Sequence, residues 1–114
     1  MHHYVILFRA TRPLTAEEQQ SRLKEIQQWV AKVTALGIQL EPRNLGDTAA
    51  NLSSVGGETK NHSTPTDPAL VTMVFFDCAD KQQAVEIARI HPGLHYGVTV
   101  ELREWTSPAP LPRP

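Results

Sequence analysis

Apolar positions recur along this chain with two periods, and the change from one to the other marks out its elements. From Tyr4 to Arg9 the pattern has period two, with Tyr4, Ile6 and Phe8 on one face and Val5 and Leu7 on the other. Because both faces are apolar, this is a strand expected to be covered on both sides. Thr15 and Glu18 have the spacing of a capping box, in which hydroxyl and carboxylate satisfy reciprocal backbone N–H groups. After them Leu23, Ile26, Trp29, Val30, Val33 and Leu36 recur every three or four residues, opposite Glu17, Gln20, Lys24, Gln27, Gln28 and Lys32. This predicts an amphipathic helix of roughly six turns. Gly37 stands where a left-handed residue ends it.

Ile38 to Glu41 alternates and predicts a short second strand, stopped by Pro42. Residues 43–68 are rich in Gly, Asn, Ser and Pro and predict a long loop, with Leu45, Leu52 and Val55 offering a short strand or hairpin inside it. The run from Ala69 to Phe76 is again apolar on both faces. Asp80 and Gln83 repeat the capping spacing, and Ala84, Val85, Ile87, Ala88 and Ile90 form a narrower helical stripe that ends at His91, Pro92 and Gly93. Val98, Val100 and Leu102 alternate with Thr99, Glu101 and Arg103 in a last strand. Residues 1–105 thus form one βαββαβ domain, a ferredoxin-like α+β plan, and 106–114 a Pro-rich, polyproline-like tail.

Two helices cover only one face of such a sheet. Each fully buried Val, Ile, Met or Phe contributes roughly 1.5–3 kcal/mol, so the other apolar face predicts a homodimer, sheet against sheet. Composition narrows the function classes. A net charge of -1 with no basic cluster gives no footprint for nucleic acid. The apolar runs are far below the roughly 20 residues of a membrane span, and no signal-peptide layout precedes the first strand, so the expectation is a cytoplasmic protein without a membrane partner. The single cysteine, Cys78, forms no internal disulfide and no Cys-rich zinc site. No cofactor motif occurs: Gly56-Gly57 lacks the strand and helix that a phosphate-cradling loop needs.

Val74 to Asp77, Ala84 to Leu94 around His91-Pro92-Gly93, and Tyr96 to Arg103 together resemble the YCII-related, or DGPF-domain, proteins. The resemblance covers about the last third of the chain in motifs and the first strand and helix in pattern. It implies a dimeric α+β barrel. The Asp-Gly-Pro-Phe segment of one branch is absent, and His62 to Pro68 stands near its place. Another branch is thought to use an acid–base pair, a histidine on the first helix with an aspartate before the proline. Here no histidine lies between Thr15 and Leu36, and His91 takes the pre-proline position.

His91 is the leading candidate for chemistry, since a helix C-terminus favours the imidazolium; capping of the helix carbonyls explains it as well. Asp77, at the end of a buried strand, is either its partner or a cap of the second helix. Arg9, Glu101 and Arg103 either line a ligand cleft or pair between strands, and Tyr96 either stacks on a ligand or packs over the helix end. Cys78 precedes a helix N-terminus, where a thiol's pKa falls, or is a small buried apolar group. His62 and Asp67 are two ligands without a third, so no metal site is expected. Two functions stand open: a small-molecule-binding or regulatory protein without catalysis, and an acid–base enzyme using His91 on a small organic substrate.

Overall fold

A computed structural model describes residues 1–62 and 64–108. The chain folds as an α+β domain whose strands β1 (His2–Ala10), β2 (Glu41–Asn44), β5 (Leu70–Cys78) and β6 (Val98–Glu104) form one antiparallel sheet in the order β2-β5-β1-β6. A separate hairpin joins β3 (Asn51–Val55) to β4 (Glu58–His62). Helices α1 (Ala16–Thr34) and α2 (Lys81–Arg89) and a 3-10 turn (Pro92–His95) complete the described elements. Of the Pro-rich tail expected over 106–114, residues 109–114 lie outside the described residues. No described helix is long and apolar enough to cross a membrane.

The capping box at Thr15 forms as its spacing implies, and at Asp80 the N-cap half of it forms. The Thr15 hydroxyl accepts the Glu18 N–H at 3.1 Å while the Glu18 carboxylate accepts the Thr15 N–H, also at 3.1 Å. At α2 the Asp80 carboxylate accepts from the Gln83 N–H at 2.8 Å, and the Gln83 side chain accepts from the Ala79 N–H at 3.1 Å. Asp80, then, and not Asp77, caps the second helix. Gly37 has φ 82, the left-handed geometry that lets the chain leave α1.

The second strand is displaced from its expected place. Ile38 and Leu40 pack into the core instead of pairing, and the strand runs from Glu41 through Pro42 to Asn44. Pro42 does not stop it because β2 is at the sheet edge and bonds on one side only, so a missing N–H on the other side leaves no neighbour unpaired. The long segment after it is also more ordered than its composition suggests. Gly56 and Gly57, at φ 61 and 84, make the two-residue turn of the β3–β4 hairpin, closed by the Val55–Glu58 pair.

The core lies between the sheet and the helices. Tyr4, Ile6 and Phe8 of β1 and Val74, Phe76 and Cys78 of β5 meet Trp29 and Val33 of α1 and Ala84, Ile87 and Ala88 of α2. The helical stripe read from the sequence is wider than the part buried: Leu23 and Leu36 are exposed, and Trp29 and Val33 alone are buried on α1. On the open face, Val5 and Leu7 are nevertheless only 7% and 8% exposed, standing between Phe75 and Met73 on one side and Arg103 and Glu101 on the other. Long flanking side chains on neighbouring strands therefore shelter the central strand within the single chain, and the apolar surface left open is narrower than the alternation implied.

Candidate functional site

A cavity of roughly 290 Å³ opens between α1 and the edge of the sheet. Its floor is Phe8, Trp29, Val74 and His91, all buried, and its mouth is at the exposed Val30, Pro42 and Asn44. The volume is at the lower end of ligand pockets, and its walls are mostly aliphatic and aromatic, as such pockets generally are. The cavity exists because α1 approaches the sheet through Trp29 and Val33, while the half of the helix before them is half-buried or exposed.

His91 is fixed in this floor by three contacts. Its ring is 4.5 Å from that of Phe8 and 4.6 Å from that of Trp29 between centroids, the second edge-on. Its Nδ1 accepts the Gly93 N–H at 2.9 Å, which caps the 3-10 turn. Gly93 permits this closeness: a Cβ there would come within 3.0 Å of Nδ1. With Nδ1 accepting, the neutral ring carries its proton on Nε2, which becomes the donor it has left. Burial, and secondarily the Arg22 charge, pull the His91 pKa down to about 4. The expected helix-terminus stabilisation of an imidazolium is thus outweighed, and near neutral pH the ring is uncharged.

Arg22 is the residue that the sequence reading missed. It lines the same cavity, and its Nε is buried with no hydrogen-bond partner among the described residues. A buried donor left unpaired costs roughly 1–3 kcal/mol, more when charged, so such a group asks for an explanation. Its neighbours on α1 do not supply one. The Glu18 carboxylate is held by Arg12 at 2.9 and 3.2 Å and by the Thr15 N–H, which sets its pKa down at about 2. Glu25 accepts the Tyr96 hydroxyl. A signal was present: Arg22 precedes Ile26 by four and Trp29 by seven, which puts a cation in line with the apolar stripe.

The other candidates are dispersed. Asp77 lies at the opposite end of β5, paired with the His3 ring at 2.6 Å in the row with Trp105, which stacks on His3 at 4.7 Å. His91 packs on Phe8 and Asp77 pairs with His3, five positions back along β1 and on the other face of the sheet, so the two are not brought together. Arg9 bridges Asp67 at 2.8 Å and Glu101 at 2.7 Å on the open face. Arg103 stands exposed across from Val5 on that face. Tyr96 follows the 3-10 turn, and its hydroxyl donates to Glu25, whose carboxylate raises the phenol's pKa. Among the described residues, Arg9 and Glu101 are therefore joined to each other, while Tyr96 belongs to the helix side.

Cys78 is 1% exposed, and burial raises its pKa, outweighing any helix-terminus effect. The Ser53 hydroxyl bonds His62 at 2.9 Å and Asp67 bonds Arg9; no group of three or more metal-ligating side chains occurs among the described residues. What fold and cavity define together is an α+β domain with an apolar pocket between sheet and helix, carrying one arginine and one neutral histidine. No protein-family model and no curated protein matches the chain.

Proposed function

We propose that this chain is a small-molecule-binding or regulatory protein of the YCII-related kind, a ferredoxin-like domain that pairs sheet to sheet as a cytoplasmic homodimer and performs no catalysis. The domain reading is supported by the strand order: with the hairpin set aside, first to fourth strands run 2-3-1-4 across an antiparallel sheet, each helix linking strands that are not adjacent in sequence-local hairpins. Pairing is supported by the partly exposed Val71, Met73, Phe75 and Trp105 on the uncovered face and by a molecule only 18 Å in its thinnest dimension, about one sheet and one helix layer.

The observation that carries the binding reading is the cavity itself, with Arg22 Nε buried at its wall and without a partner among the described residues. The rival reading, acid–base chemistry at His91, draws on the same cavity but has less behind it. A base with a pKa of about 4 is weak near neutrality, and Asp77 does not accompany it.

Titration of the isotopically labelled protein with a library of small neutral and charged fragments tests the reading. The Trp29 indole N–H and the amides around His91 and Gly93 are expected to shift, and Val30→Trp, which fills the mouth, is expected to abolish those shifts. Fragments that perturb only other surfaces, or the same response in Val30→Trp, would refute it.

A further inference from the structure

We propose that the cavity beneath α1 takes a small apolar monocarboxylate, its carboxylate on the Arg22 guanidinium with the His91 Nε2–H as second donor and its hydrocarbon body against Ile26, Trp29, Leu40 and Val98. This deepens the binding reading above and rests on it.

Charge, donors and size each match such a ligand. Arg22 brings one fixed positive charge to a mostly apolar cavity, and its Nε has no partner among the described residues. The acids nearest to it along α1 bond elsewhere, Glu18 to Arg12 and Thr15 and Glu25 to Tyr96, and among the described residues neither forms an ion pair with Arg22. The two Nη groups of a guanidinium offer parallel N–H donors, a geometry that a planar carboxylate accepts with both oxygens.

His91 adds a donor without adding a second charge, because Nδ1 is occupied by the Gly93 N–H and the neutral ring holds its proton on Nε2. One charge and several donors suit a monoanion. A phosphate monoester would carry close to two charges into walls with a single cation to meet them. A neutral ligand would leave the guanidinium unpaired, and an amine would be repelled. On the other lip the Thr72 hydroxyl donates to the Asn44 side-chain oxygen at 3.1 Å, and neither side chain is charged, so the fixed charge of the lining is at the Arg22 end. A volume of roughly 290 Å³ fits a compact ring or short chain better than a drug-sized molecule.

Calorimetry and amide-shift mapping with benzoate, benzamide, benzylamine and inorganic phosphate separate the possibilities. Benzoate is expected to bind at the cavity about tenfold or more tighter than benzamide, with benzylamine and phosphate weaker still. Arg22→Gln should weaken benzoate about tenfold while leaving benzamide nearly unchanged, and Arg22→Lys, which keeps the charge but loses the fork, should fall between. An unchanged pattern of amide resonances shows that each variant is folded.

Equal affinity for benzoate and benzamide, phosphate binding more tightly than benzoate, or benzoate binding indifferent to Arg22→Gln would each overturn the carboxylate assignment while the cavity remained a binding site. Absence of shifts at the cavity with benzoate, benzamide and the fragment library alike would overturn the binding reading itself.

Discussion

The Trp29 indole Nε1–H donates to the main-chain carbonyl of Ile87 at 3.0 Å, joining the two helices through a buried hydrogen bond. The carbonyl is in the last turn of α2, where the His91 N–H turns to Ala88 at 3.2 Å, so the indole supplies a partner at a helix end that leaves acceptors open. Trp29→Phe keeps an aromatic ring beside His91 and removes the donor. It is expected to cost about 1–3 kcal/mol in denaturant unfolding. Trp105→Phe, at a partly exposed position, is expected to stay within about 0.5 kcal/mol.

Stability should fall with acid through His91. Its pKa is about 4 in the folded chain against an ordinary value of 6.5, so the unfolded chain takes up the proton first as pH drops. The stability present above pH 6.5 is lost progressively down to about pH 4, by roughly 3 kcal/mol in all. His91→Asn retains an acceptor for the Gly93 N–H and should flatten the slope of unfolding free energy against pH over that window. The same slope in wild type and variant would assign the acid sensitivity elsewhere.

The proposed homodimer makes Phe75 a sensitive position, because it lies half-buried on the uncovered face, its ring 6.4 Å from that of Trp105. Phe75→Glu places a charge in that patch and is expected to shift the sedimenting species from two subunits to one with the circular dichroism unchanged. A wild-type chain that sediments as one subunit at micromolar concentration removes the homodimer from the proposal.

Cys78 should be chemically quiet. Its thiol is buried in the core and donates to the Asp80 carbonyl at 3.2 Å, while burial keeps the thiolate disfavoured. An aromatic disulfide reagent is expected to label it about a hundredfold more slowly in buffer than in denaturant. Comparable rates would show that the end of β5 opens readily.

Much of the fold was legible because it depends on local rules. The capping box at Thr15, the N-cap at Asp80, the stop at Gly37 and the strands around Ile6 and Val74 each follow from a few neighbouring residues, and the structure forms all of them. The place of the second strand is not legible, because Pro42 reads as a terminator when the edge position of its strand is unknown. The separation of Asp77 from His91 is not legible, because sequence order says nothing of which sheet face or strand end a residue occupies. The role of Arg22 is not legible, because a charged residue in a long helix reads as solvated until the gap beneath that helix is seen.

By itself the sequence determined the kind and order of the main elements, since hydrophobic period, capping spacing and glycine geometry are short-range properties of the chain. Only the tertiary structure decided that α1 rests on Trp29 and Val33, leaving a cavity beside them in which Arg22 and His91 converge. That decision depends on the volumes of side chains far apart in sequence, Phe8, Leu40, Val74 and Val98 among them, and on how closely they let helix and sheet approach.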